Sequence, residues 1–293
     1  MKKFILVTGG AGFVGSNLIK LLLKKTKHRV ISLDDYSSGT IKNHLKNKRV
    51  KYIKGNTVNI GQIFYKNKNK IICIFHFGEF SRIYQSFLKM NKCIQSNTIG
   101  SNAVFNFCLK NNIKLIYSAT SASLGNNGED KDLSPYAFTK AKNLEFLNNL
   151  KKWFKFKYEV IFFYNVYGPG QIKSGDMATV IGIFEDHYQK NKPLPVVKPG
   201  SQSRRFTHID DTVKTCFEAW KKNANKFYSI TNKKSYTILQ VAKMFNSPIK
   251  YLPARKGERY ASALSSLVVS NKVIRKYGTQ NLKNYIKSVI KPK

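Results

Sequence analysis

The chain is poor in acid. Its 293 residues carry 15 Asp+Glu against 52 Lys+Arg, a formal net charge of +37. An excess of that size ordinarily points to nucleic acid. The basic residues, however, are spread from Lys2 to Lys293, with no block of about five or six like charges. Lys, Asn and Ile are abundant together, as in proteins from strongly AT-biased genomes. Compositional drift is therefore favoured over a polyanion partner, leaving a generic attraction for anionic ligands and no specific nucleic acid. Cysteine is scarce as well. Cys73, Cys93, Cys108 and Cys216 form no CxxC pair, which reads as a reducing compartment with neither a disulfide framework nor a metal site. No apolar run approaches the roughly 20 residues of a membrane-spanning helix. The opening Met1-Lys-Lys-Phe-Ile-Leu-Val has too short an apolar segment for a signal peptide and runs into Thr8-Gly9-Gly10, a strand entering a turn. A cytoplasmic protein with no membrane partner is expected. What the chain does not lack is core material: 42% of it is apolar and 13% aromatic, which excludes intrinsic disorder. The length suits one large α/β domain or two small ones.

Short apolar runs alternate with helix-like stretches, the signature of a parallel sheet covered by helices. The spacing predicts strands over Lys3–Thr8, Arg29–Leu33, Val50–Lys54, Ile71–Phe77, Lys114–Ser118 and Glu159–Tyr164. Ile71-Ile-Cys-Ile-Phe is apolar on both faces, as a central parallel strand requires. Helices are predicted over Phe13–Lys25, Ser86–Lys110 and Pro135–Lys152. After Gly168-Pro-Gly the regular alternation stops, and Pro193, Pro195, Pro199 and Gly200 punctuate the C-terminal part of the chain. The expected organisation is a doubly wound Rossmann-type domain over 1–167 and a smaller α/β substrate-binding region over 168–293. Some segments of that region return to the first domain, and the whole packs over the sheet edge where ligands bind.

Thr8-Gly-Gly-Ala-Gly-Phe-Val-Gly15 follows the first strand and opens the first helix. Glycines there let the backbone turn tightly and approach a pyrophosphate held on the helix N-terminus. Asp34 stands about 20 residues further on, at the end of the second strand, where a carboxylate hydrogen-bonds the adenosine ribose and repels a 2′-phosphate. NAD is favoured over NADP. Tyr136-Ala-Phe-Thr-Lys140 sets a phenol and an ammonium at i and i+4, on one helix face. A nearby cation lowers a phenol's pKa so that it can take a proton from a sugar hydroxyl. Tyr117-Ser-Ala-Thr-Ser121, at the end of a predicted strand, brings a hydroxyl to the same place. His76 and His208 read as structural histidines at strand ends.

Taken together, these motifs resemble the extended short-chain dehydrogenase/reductases that act on nucleotide sugars. The likeness spans nearly the whole chain and adds His76-Phe-Gly78, Asn97-Thr-Ile-Gly100, Asn165-Val-Tyr-Gly-Pro-Gly-Gln171, Arg204-Arg-Phe-Thr-His-Ile-Asp-Asp211 and Arg255-Lys-Gly-Glu258, in family order. It implies tightly held NAD, with Tyr136 as general base, Lys140 holding the nicotinamide ribose and Thr120 bonding the reacting hydroxyl. Cofactor contacts are implied for Gly9, Gly12, Phe13, Val14 and Gly15, for Asp34 and Asp35, and for Asn56 and Thr57. Phe77, Gly78, Asn97 and Ser118 complete that set. Asn165, Arg204, Arg255 and Glu258 fall at substrate-binding positions, and two arginines suit a dianionic diphosphate. A homodimer is expected too, paired through Ser86–Lys110 and Pro135–Lys152. Val104, Phe105, Phe107, Leu144, Phe146, Leu147 and Leu150 exceed one core-facing stripe there.

The sequence departs from the family pattern in places. Asn56 stands where the family has an aspartate, so the adenine contact falls to an amide. Phe162 replaces an arginine, and the short spacing from Thr120 to Tyr136 implies a trimmed loop. Related dehydratases carry Asp-Glu directly after the threonine and decarboxylases a Glu two positions on, whereas this chain has Ser121-Ala122. Without a second carboxylate, elimination has no obvious catalyst, and the reading is an epimerase, most like those of UDP-glucose acting at C4. An ADP-heptose 6-epimerase or another nucleotide-sugar oxidoreductase is the alternative, although Ser174 stands where the heptose enzyme's second lysine aligns, with Lys173 adjacent. A non-catalytic NAD-binding protein and a basic nucleic-acid binder are more distant alternatives. Intact Tyr136 and Lys140 count against the first, and the lack of an Arg-rich cluster or stacking aromatics counts against the second.

Overall fold

The computed structural model describes residues 3–124, 130–257 and 273–290. Six strands, β1 (Phe4–Thr8), β2 (Arg29–Asp34), β3 (Val50–Lys54), β4 (Ile71–His76), β5 (Lys114–Thr120) and β6 (Tyr158–Phe163), form most of one sheet. Phe227–Thr231 and Val273–Tyr277 extend it beyond β6, giving the spatial order β3-β2-β1-β4-β5-β6 followed by these two. Every pairing in it is parallel. Chain order reverses between β1 and β4, which makes the C-terminal ends of those strands the place for a ligand crevice.

The strands form where the sequence is continuously apolar, because helices cover both faces. All five residues of β1 are buried. On one face Leu18, Ile19 and Leu22 of the Phe13–Lys25 helix pack with Val213 and Cys216 of the Ile209–Lys222 helix. On the other, Val104, Phe105, Leu147 and Leu150 pack against β1, β4 and β5. A third cluster, around Tyr167, Phe184, Phe206 and Phe245, supports the region after residue 166. Among the described residues no helix is long and apolar enough to cross a membrane.

Two helix expectations need correcting. The Ser86–Lys110 stretch is not one helix: it runs as Ile83–Leu88, Met90–Ile94, a π turn over Gln95–Gly100 and Ser101–Lys110. The break falls at Lys89, whose φ of −127° and ψ of 45° leave the helical region. Tertiary contacts override the helical pattern there, with Lys89 ion-paired to Asp176. The apolar surplus offered as a dimer face is also taken up inside the chain. Val104, Phe105, Phe107, Leu147 and Leu150 are all core, and Leu144 and Phe146 pack half-buried against it.

Candidate active site

The Pro135–Phe154 helix begins at Ser134, whose hydroxyl accepts the Ala137 N–H at 3.1 Å, with Pro135 in the first turn. That start fixes Tyr136 and Lys140 on its buried face. Both line a cavity of about 580 Å³ over the carboxyl ends of the strands, large enough for a small-molecule ligand.

At one end of the cavity is the glycine turn. Gly9 has φ +69°, and a Cβ there would stand 2.8 Å from the Gly78 nitrogen and the Phe77 carbonyl. A Cβ on Gly15 would collide with the Gly9 carbonyl oxygen. Only glycine fits this cradle, and with Gly12, Phe13 and Val14 it opens the helix toward the cavity. Asp34 is buried, with one carboxylate oxygen accepting the Ala11 N–H at 2.9 Å and the other the Tyr36 N–H at 2.8 Å. Burial raises its pKa, against those two backbone bonds. Asp35, Asn56, Thr57, Phe77, Gly78 and Ser118 line the same wall. The Asn56 side-chain oxygen Oδ1 accepts the Val58 N–H at 3.0 Å, which leaves its NH₂ to face a ligand. A backbone-lined pyrophosphate turn with a ribose-level carboxylate fits NAD.

Asn97 does not belong to this wall. It is fully buried, accepts the Phe80 N–H at 2.6 Å, and donates to the Phe80 carbonyl at 3.0 Å and to Thr139 Oγ1 at 3.2 Å. The π turn directs it beneath the site, and Ser96 reaches the cavity in its place. It fixes the segment after β4 rather than a ligand.

At the other end lie Thr120, Asn165, Arg204 and Arg255. Thr120 hydrogen-bonds the Tyr136 phenol and accepts the Ala122 N–H at 3.1 Å. Burial pushes that phenol up to about 12; the Thr120 bond and the Arg82 cation oppose the rise, and the Glu79 charge adds to it. Asn165 takes φ +30° and donates to the Arg205 carbonyl at 2.9 Å. Arg204 is buried, with one guanidinium nitrogen donating to the Ser203 carbonyl at 2.9 Å. Arg255 is exposed and lies 5.3 Å over the Tyr84 ring. Glu258 lies outside the described residues.

Several residues of the site carry no motif that singles them out in the sequence. The Glu79 carboxylate, directly after the His76-Phe-Gly78 run, pairs with Lys140. Arg82 lines the cavity half-buried and donates to the carbonyls of Ser81 and Met177. Asp176, ion-paired with Lys89, sits at the rim. His76 and His208 are structural: His76 bridges Thr8 and Ser101, and His208 accepts the Asp210 N–H at the start of a helix.

A Rossmann sheet with a pyrophosphate turn and a buried Tyr-Lys pair defines an NAD-dependent enzyme of the short-chain dehydrogenase/reductase type. Residues 5–231 match the NAD dependent epimerase/dehydratase family, and the chain belongs to it. It is 32% identical over 229 residues to an uncharacterized UDP-glucose epimerase of Bacillus subtilis, covering 72% of this chain and 70% of the relative. It is 31% identical over 225 residues to an ADP-L-glycero-D-manno-heptose-6-epimerase of Brachyspira hyodysenteriae, covering 71% and 69%. The solved UDP-N-acetylglucosamine 4-epimerase of Methanobrevibacter ruminantium, in complex with UDP-N-acetylmuramic acid, superposes with a TM-score of 0.82. That match has 25% identity and covers 99% of this chain and 98% of that one.

Proposed function

We propose that this enzyme is a 4-epimerase of a nucleotide-diphosphate hexose, interconverting UDP-glucose and UDP-galactose. The observation that carries the reading is what faces Tyr136. Ala122 packs with it in an apolar cluster of Phe80, Cys93 and Ala137, where elimination or decarboxylation would need a carboxylate. Among the described residues lining the cavity the carboxylates are otherwise engaged. Asp34 and Asp35 face the adenosine end, Glu79 is saturated by donors, and Asp176 is ion-paired at the rim. Among the described residues, loss of water or CO₂ therefore has no free second carboxylate to catalyse it, whereas exchange of a proton with Tyr136 and of a hydride with NAD needs none.

Tyr136 takes the proton of the sugar 4-hydroxyl, with the Thr120 hydroxyl holding the oxygen between them. NAD, when bound along the glycine turn, supplies the hydride acceptor and then the donor. Lys140 orients the nicotinamide ribose, and Arg82 opposes the rise in the phenol's pKa. The 4-keto sugar turns about its diphosphate link and presents its other face, and Tyr136 returns the proton. Arg204 and Arg255 grip the diphosphate while the sugar turns, and Asn165 lines the wall beside them. A homodimer paired through the same helices belongs to the reading, with the exposed Ile99 and Phe138 as the surface a second copy would cover. The heptose alternative is weakened because Lys173 is bound to Glu185 at 3.1 Å.

The test incubates the protein with UDP-galactose, without added NAD, and follows UDP-glucose through a coupled dehydrogenase. Product formation is expected. No product, together with conversion of an ADP-heptose at C6, would transfer the assignment to the alternative.

A further inference from the structure

The Glu79 side chain is 2% exposed and collects four donors. Its Oε1 accepts from Ser101 Oγ at 2.7 Å, Tyr117 OH at 3.0 Å and Asn143 Nδ2 at 3.2 Å. Its Oε2 takes the Lys140 ammonium. Four donors converge on this group and it meets no acceptor among them, the pattern of a carboxylate that accepts through both oxygens. The donors behind it share one direction. Ser101 gives its only proton to Glu79, so the 3.0 Å contact with His76 Nε2 must be donated by the ring. His76 Nδ1 then accepts from Thr8 Oγ1 at 2.7 Å, and Thr8 accepts the N–H groups of Phe77 at 3.1 Å and Gly78 at 3.0 Å. Burial lowers the His76 pKa to about 4, which keeps the ring in this neutral tautomer. A relay of fixed dipoles runs from two backbone amides into one carboxylate.

We infer that Glu79 is a positioning residue: it is the counter-ion that keeps Lys140 charged inside the protein and holds its ammonium against the Ser118 carbonyl and the Tyr117 ring. The inference rests on the reading of Lys140 as the residue that holds the cofactor ribose. Lys140 is buried, donates to the Ser118 carbonyl, and lies 4.6 Å over the Tyr117 ring. The groups facing it from neighbouring elements are His76 on β4, Glu79 beyond that strand, Tyr117 on β5, and Cys93 on the Met90–Ile94 helix. Tyr136 faces it from its own helix. Near neutral pH only Glu79 among these is an anion. Burial raises the thiol of Cys93 to about 11 and the phenol of Tyr117 well above its ordinary value. Burial alone drives the Lys140 pKa down, and Glu79 is the chief opposing influence.

A buried lysine is charged below its pKa, and removing its counter-ion lowers that pKa, by up to about 3–5 units in fully buried cases. NADH affinity of the nucleotide-free protein is titrated by fluorescence from pH 6 to 9.5 for wild type, Glu79→Gln and Glu79→Asp, with circular dichroism to report the fold. Glu79→Gln should match wild type at the acid end. It should then lose about tenfold as pH rises, with a midpoint at least about one unit below the wild-type midpoint. Glu79→Asp, which keeps the charge, should move the midpoint back toward wild type. If the Gln variant does not fold, the double variant Glu79→Gln/Lys140→Met, which removes the unpaired cation as well, should regain the fold by circular dichroism, and a double variant as unfolded as the single one refutes the inference. A Glu79→Gln curve coincident with wild type, or lowered equally at every pH, overturns the inference while leaving the cofactor reading intact. A wild-type chain that binds no NADH removes the cofactor reading and this inference together.

Discussion

Removing the Arg82 cation should make the enzyme a poorer base at neutral pH without emptying its site. As the proposed general base, Tyr136 must lose its proton to act, and burial already pushes its phenol up to about 12. Two influences bring it down: the Thr120 hydrogen bond and the Arg82 charge. Lys140 contributes less than its proximity suggests, because Glu79 pairs with it inside the protein. Arg82→Gln deletes the cation and keeps a hydrogen-bond donor for the Met177 carbonyl. A charge at short range shifts a neighbour by about 1–3 units. Arg82 is only half-buried and its guanidinium is turned to two carbonyls, so the lower end applies, about one unit. Raising the pKa of a base by one unit leaves about tenfold less phenolate at any pH below it. The kcat profile of the proposed UDP-galactose conversion should therefore move to higher pH by about one unit and recover at the alkaline end. Arg82→Lys should stay near wild type. Superimposable profiles for Arg82→Gln and wild type, with Tyr136→Phe inactive, would show that the phenol does not feel this charge.

The cofactor end and the core each give a further expected outcome. Asp34→Ser removes the carboxylate proposed to bind the ribose and its repulsion of a 2′-phosphate, so the ratio of NADP to NAD affinity should rise at least about tenfold; an unchanged ratio places the ribose elsewhere. Phe105→Ala empties a fully buried site where the ring meets Tyr117 edge-on at 5.4 Å and His76 at 6.2 Å. It should cost about 3–5 kcal/mol and lower the Tm by about 10 °C, which differential scanning calorimetry would measure.

Much of the sheet is legible in sequence because a parallel strand covered on both faces has to be apolar throughout. Ile71-Ile-Cys-Ile-Phe could only be an interior strand, and it occupies β4 beside β1. The Phe13–Lys25 helix is equally plain, since Leu18, Ile19 and Leu22 fall on one face and a glycine turn marks its start. The broken stretch around Lys89 is not legible. No proline or glycine stands at Lys89 itself, and the break accompanies contacts with Asp176, distant in sequence and anchored in another region. The apolar surplus on the helices proposed to pair has a related explanation. Two-sided apolar character on the Ser101–Lys110 and Pro135–Phe154 helices is required by their own packing against the sheet and each other.

The same division runs through the site. Spacing reveals Tyr136 and Lys140 because four residues on a helix is one face, and it reveals the glycine turn because backbone approach demands a fixed pattern. Glu79 has no such spacing. Its partners Ser101, Tyr117, Lys140 and Asn143 come from two helices and a strand, so no local period could join them. Composition held the only available signal: one acid directly after Gly78, at a strand end, in a chain with few acids. A scarce charge kept where burial is costly needs a compensating charge, and the cation that answers it is the lysine of the Tyr136-to-Lys140 motif. Reading Lys140 alone gives a base-activating charge. Paired with Glu79 it is a neutral, buried unit, which leaves Arg82 as the cation that acts on Tyr136.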